Sequence, residues 1–133
     1  MEGKTDAHVL DGSPVTVSFA GREYVWRQKP RREQRKIRNR LADIAGLVVR
    51  VSQADTGGQL AHSVECVNEI IEFCEDNHPE MSDDMDSIES HIRKTGMIGV
   101  QELISGVYNP LFEAWLKPWL SGDDDEPAQK KRI

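Results

Sequence analysis

Two histidines and two cysteines stand in a symmetric arrangement: His62 lies four residues before Cys66, and Cys74 four residues before His78. Residues four apart share one face of a helix, so each pair has a spacing that two metal ligands can use. Zinc needs four ligands within about 2.3 Å of one point, yet on a straight helix the two pairs are about 18 Å apart. One helix cannot bring them to the same ion. The two thiols fall roughly 80° apart around such a helix and about 12 Å apart along it, which excludes a disulfide between them. Buried free thiols in a reducing compartment are the expectation. Gly57-Gly58 is not followed by Lys-Ser or Lys-Thr, so a phosphate-binding loop has no support. Asp86, Glu89 and His91 sit together on a short segment, but charged surface helices produce that grouping routinely. No Ser-His-Asp signature stands elsewhere, and the chain reads as a binding protein, not an enzyme, with no metal or cofactor.

The strongest charge feature is basic. Arg27, Lys29, Arg31, Arg32, Arg35, Lys36, Arg38 and Arg40 are opposed only by Glu33, giving that stretch a formal +7. With the chain at −6, the remainder carries −13. Three uses compete. Arg31, Arg35 and Arg38 could follow a phosphate backbone. They could meet a protein partner. Or the basic residues could simply form the polar arc of an amphipathic helix, with Asp83, Asp84 and Asp86 as intramolecular counter-charges. On a helical wheel the eight spread over most of the polar arc, which favours the last reading and weighs against nucleic acid. The second feature is aromatic: Phe112, Trp115, Leu116 and Trp119 fall on one face of a short last helix that carries Pro110 and Pro118. Tryptophan is enriched in binding hot spots. The expectation is that Trp115 and Trp119 lie at a partner-facing surface, that Phe112 and Leu116 anchor the helix to the body, and that the two prolines let it hinge as a unit.

These residues need elements to hold them. Val15 to Phe19 alternates apolar and polar, Ala20-Gly21 is a turn, and Glu23 to Arg27 gives a second short run, so a β-hairpin is predicted. Ile37, Leu41, Ile44, Val48 and Val51 form a stripe at helical spacing on a helix from about Pro30 to Gln53. After a break over Ala54 to Gly58, a second helix from about Gln59 to Asp76 carries Leu60, Val64, Val67, Ile71 and Cys74, widened by Ile70 and Phe73. Asn77-His78-Pro79 ends it. Ser82 is placed as the cap of a third helix with Met85, Ile88 and Ile92 on its stripe and Gly96 as its stop. A short helix from Gly99 to Tyr108 follows, then a cap and first turn at Asn109-Pro110. The fold class is mainly α, a small N-terminal hairpin followed by a bundle of four or five amphipathic helices.

With 133 residues, the chain has the length of one domain. The boundaries read as a flexible arm over 1–14, a single helical domain over 15–120, and a disordered charged tail over 121–133, where Asp123-Asp124-Asp125-Glu126 precedes Lys130-Lys131-Arg132. No apolar run approaches the roughly 20 residues that span a bilayer, and Met1 to Leu10 carries no apolar signal region. A cytosolic protein with no membrane partner is expected.

The order of these pieces resembles the tail assembly chaperones of long-tailed bacteriophages. The likeness covers roughly Val15 to Leu120. It rests on the short strand pair with Phe19-Ala-Gly-Arg-Glu-Tyr24 at its turn, the basic Arg31-Arg-Glu-Gln-Arg35, and an acidic helical half. That half contains Asn68-Glu-Ile-Ile-Glu-Phe73 and Asn77-His-Pro79 and is followed by a charged tail. The resemblance implies a protein that coats the long helical tape measure protein, keeps it soluble and helps recruit tail tube subunits, with no catalytic residues. It implies a place in the host cytoplasm and absence from the finished virion, and leaves self-association open. Two other classes stay in view: a small nucleic-acid-binding regulator using Arg27 to Arg40, and a structural head–tail joining protein.

Overall fold

A computed structural model describes residues 13–53 and 56–121, leaving aside the side chains of 56–59 and 121. The expected N-terminal arm over 1–14 and the charged tail over 121–133 lie almost wholly outside the described residues. Strands β1 (Val15–Phe19) and β2 (Arg22–Trp26) pair antiparallel, with Val15 opposite Trp26 and Phe19 opposite Arg22. The two-residue turn places Ala20 at φ 52° and Gly21 at φ 80°. Two successive positive φ angles match the right-handed twist of the strands, which is why such tight hairpins use them. Alternation sends Val17, Phe19, Tyr24 and Trp26 into the core.

A two-stranded hairpin is marginal alone. This one is held on its inner face by helices. The Trp26 ring stacks on Phe73 with centroids 5.4 Å apart and meets Trp115 edge-on at 6.2 Å. Helix α1 (Arg31–Gln53) buries Ile37, Leu41, Ile44 and Val51 along the predicted stripe. Helix α2 (Thr56–Asn77) packs against it. The expected break is shorter than read, because α2 is already helical at Thr56.

The buried face of α2 follows the predicted one at Ile70, Ile71, Phe73 and Cys74 and departs from it in the first turns. Leu60 and Val64 are 59% and 62% exposed, while Ser63, Cys66, Ile70, Phe73 and Cys74 are buried. The helix carries apolar residues on two faces. The rotation that puts Phe73 under Trp26 turns Leu60 and Val64 outward.

His78 has an extended backbone and caps helix α3 (Pro79–Asp83), its Nδ1 accepting the Met81 N–H at 3.2 Å. Its Nε2 donates to the Val25 carbonyl at 2.9 Å, so the two bonds fix the tautomer and tie β2 to the start of α3. Ser82 therefore lies inside a helix and caps nothing. Asp84 stands at the start of helix α4 (Met85–Thr95) without a side-chain cap. Its carboxylate is engaged elsewhere, accepting from Tyr24 Oη at 2.8 Å and pairing with Arg22. Gly96, at φ 63°, ends α4 as predicted.

Residues 97–121 form one continuous helical stretch, where a helix, a cap and a second short helix were predicted. It comprises α5 (Met97–Leu103), a π-helical turn (Ile104–Tyr108), α6 (Asn109–Leu111), a second π-helical turn (Phe112–Leu116) and α7 (Lys117–Ser121). Each π turn immediately precedes a proline-bearing segment. The Asn109 N–H bonds Ile104 O, and the Lys117 N–H bonds Phe112 O, five residues back in both cases. A proline inside a helix has no N–H to donate, and its ring collides with the carbonyl four residues before it. The wider π turn shifts that carbonyl out of register, so Pro110 and Pro118 are absorbed without a break. Gly106, in the first π turn, lies so close to the Ser18 carbonyl oxygen that a β-carbon there would collide with it. The absent side chain lets β1 pack directly on the helix backbone.

Candidate functional site

The candidate surface is where the terminal stretch crosses the basic half of α1. Tyr108 Oη donates to the Leu41 carbonyl at 2.7 Å. Eleven residues further on, the Arg38 guanidinium lies 3.9 Å from the centroid of the Trp119 ring. The terminal stretch therefore crosses α1 between Leu41 and Arg38. Trp119 and Leu120 are both 67% exposed. Their position is set from below by Leu111, Trp115 and Leu116, which are buried.

The six candidate residues divide accordingly. Arg31 and Arg35 are exposed and Arg38 is half-buried. At 100° per residue the three fall within about 60° of one another on α1, forming a strip that ends under Trp119. Partial burial, and after it the charge of Arg35, holds the Arg38 guanidinium below its usual pKa. Phe112 is half-buried and tilts against Tyr108 at 5.9 Å. Trp115 corrects the expectation of a surface position: it is 4% exposed and packs on Trp26. The hinge expectation is corrected with it, since swinging 109–121 away would strip Leu111, Trp115 and Leu116 from the core. Leu116 anchors as predicted.

The other basic residues are handled differently. Arg40 projects to the opposite flank of α1 and faces α2, with Glu69 at 3.4 Å and Glu72 and Asp76 each at 3.9 Å. These are its counter-charges, not the predicted Asp83, Asp84 and Asp86, because α2 and not α4 packs along that flank. Lys29 and Lys36 line an open cleft of about 510 Å³ together with Glu75, Asp76 and Asp83, so both signs of charge meet there.

The residues singled out for chemistry serve the framework. Cys66 and Cys74 are free and buried as predicted, and burial pushes their thiols up to about 11 and about 12. Among the described residues, no three His, Cys, Asp or Glu side chains gather where a metal could bind. His91 is joined to Glu102, which sequence reasoning did not single out, with Nε2 to Oε1 at 2.8 Å. The other oxygen of Glu102 accepts the Ala20 N–H at 2.8 Å. That backbone bond, then the His91 bond, lowers the Glu102 carboxyl below its usual value. The pair clamps the hairpin turn onto the helices. Asp86 and Glu89, exposed, take no part in it.

Apolar side chains are also left outside the core away from Trp119. Val49, Leu60, Val64 and Ile98 are 48%, 59%, 62% and 73% exposed. Val49 and Leu60 flank the α1–α2 junction, and Ser63 Oγ lies 3.5 Å from Met97 Sδ, which brings the start of α5 beside the same part of α2. No described helix is long and apolar enough to cross a membrane. No protein-family model, curated protein or solved structure matches the chain.

Proposed function

We propose that the protein is a tail assembly chaperone of a long-tailed bacteriophage, binding the helical tape measure protein, keeping it soluble and helping to recruit tail tube subunits. The observation that supports this reading best is the set of large apolar side chains left outside the core among the described residues: Val49, Leu60, Val64 and Ile98 on α1, α2 and α5, Trp119 and Leu120 on the terminal stretch, and Val25 on β2. A protein whose task is to shield the apolar face of another helix must keep such residues outside its own core. The acidic balance of the chain, a net −6, favours solubility of the complex. Arg38 beneath Trp119 adds a cationic edge that suits an amphipathic partner with acidic flanks.

Co-expression tests the proposal. With the tape measure protein encoded alongside it, the wild-type chain raises the soluble yield of that partner. Leu60→Ser/Val64→Ser and Trp119→Ala lower the yield while the variants themselves stay folded. Capture that persists at moderate salt fits apolar recognition. Binding to duplex DNA that collapses steeply with salt would replace the proposal by the nucleic-acid reading. Recovery of the protein in finished virions would replace it by a structural joining role.

A further inference from the structure

We propose that the outer face of α1 pairs, antiparallel, with the outer face of α2 in a second copy of the chain. On α1, Arg35, Ala42, Gly46 and Val49 are all exposed and fall within about 60° of one another. A β-carbon on Gly46 would meet nothing within 4 Å, so this face is open. Arg40, which faces α2 within the same chain, lies roughly 120–180° round the helix from these residues. On α2, Leu60, Val64, Asn68 and Glu75 are all exposed and fall within about 80° of one another. Neither Arg35 nor Glu75 forms an ion pair among the described residues.

The two faces are complementary in one alignment. From its N-terminal end the α1 face is cationic, then small and apolar. The α2 face is apolar, then acidic. Set antiparallel, Arg35 meets Glu75, Ala42 meets Asn68, Gly46 meets Val64 and Val49 meets Leu60. The axial steps between these positions are about 10.5, 6 and 4.5 Å on α1 and about 10.5, 6 and 6 Å on α2, so all four pairs form together. Gly46 leaves room for the Val64 side chain. Arg38 and Glu72 border the same charged end. A parallel alignment would set Arg35 against Leu60 and Glu75 against Val49, desolvating both charges without partners. The occupant is a second copy because the complement of the α1 face stands on this chain's own α2, turned outward. The interface is heterologous, α1 of one copy against α2 of the next.

Sedimentation of the purified full chain over a concentration series tests this. Wild type should self-associate, and less so as salt rises. Arg35→Glu and Glu75→Arg should each weaken association at least about tenfold, and mixing the two variants should restore it, because the reversed charges then face each other across the interface. Leu60→Ser/Val64→Ser should weaken association at low and high salt alike. An Ala42→Cys chain mixed with an Asn68→Cys chain should form a disulfide between copies on mild oxidation, with the native Cys66 and Cys74 buried and out of reach. A chain that stays monomeric up to about 1 mM would overturn the pairing. So would association that ignores both charge reversals, or variants that fail to rescue each other on mixing. The measurement involves no other protein, so its failure would leave the chaperone proposal, which assigns Leu60 and Val64 to a different partner, standing.

Discussion

Trp115 and Trp119 lie four residues apart on one helical stretch, yet their removal should have opposite consequences. A buried aromatic side chain withdraws about 150–250 Å² from water. Trp115, at 4% exposure and edge-on to Trp26, realises nearly all of this. Trp115→Ala should therefore cost about 3–5 kcal/mol, the range for large-to-small changes in a core. For a domain of about 100 residues each kcal/mol moves the melting temperature by about 4–8 °C, so the fall should be at least about 12 °C. Trp119 is 67% exposed and withdraws only a third of its surface, about 70 Å² of a side chain near 200 Å². At about 25 cal/mol per Å², reduced for a compact unfolded state, that is about 1 kcal/mol. Its contact with Arg38 contributes about 0.5–1 kcal/mol more at an exposed site. Trp119→Ala should thus cost about 1.5–2 kcal/mol, a fall of about 6–16 °C on the same scale and about half or less of that for Trp115→Ala, while losing tape measure solubilisation. Thermal unfolding by circular dichroism and co-expression yield measure the two quantities. Equal melting losses for the two variants would refute the reasoning, since they would show Trp119 to be as much a part of the core as Trp115.

Four further outcomes are expected. Glu102→Gln should flatten the acid side of the stability profile. The lowered carboxyl contributes stability above its ordinary value of 4.5 that is lost as pH falls through the lower folded value, and urea titrations from pH 6 down to pH 3 read the difference. Cys66 and Cys74, with thiols raised to about 11 and about 12, should resist a thiol reagent at pH 8 until the chain is unfolded in denaturant; rapid native labelling would contradict their burial. Ala20→Gly should stabilise the hairpin by up to about 1 kcal/mol, because φ 52° is a left-handed conformation that costs an alanine more than a glycine. Gly106→Ala should destabilise by about 1–3 kcal/mol, since the added methyl group meets the Ser18 carbonyl oxygen; a melting temperature at or above that of wild type would show that β1 does not pack there.

The hairpin and the first long helix were legible in the sequence because local rules suffice for them. Alternation fixes which side of a strand is apolar, Ala20-Gly21 can only turn, and the Ile37 to Val51 stripe offers α1 a single face to bury. The buried thiols followed from their place on a helix with no partner in reach. Where the sequence permitted two answers, the tertiary structure chose. Helix α2 could bury Leu60 and Val64 or Ser63 and Cys66, and the docking of Trp26 on Phe73 decided the rotation, leaving Leu60 and Val64 outside. Ser82 read as the cap of the third helix, but His78 takes that place by bonding Met81 N–H, and Asp84 turns to Arg22 and Tyr24, sixty or more residues away in the chain. Pro110 and Pro118 read as boundaries because a proline normally ends a helix, but the π turns before them kept the stretch continuous. The candidate surface was legible only as parts. The sequence supplied the arginines and the tryptophans. That Trp115 turns into the core while Trp119 turns out onto Arg38 depends on how far two π turns rotate the end of the helix, a quantity no local pattern encodes.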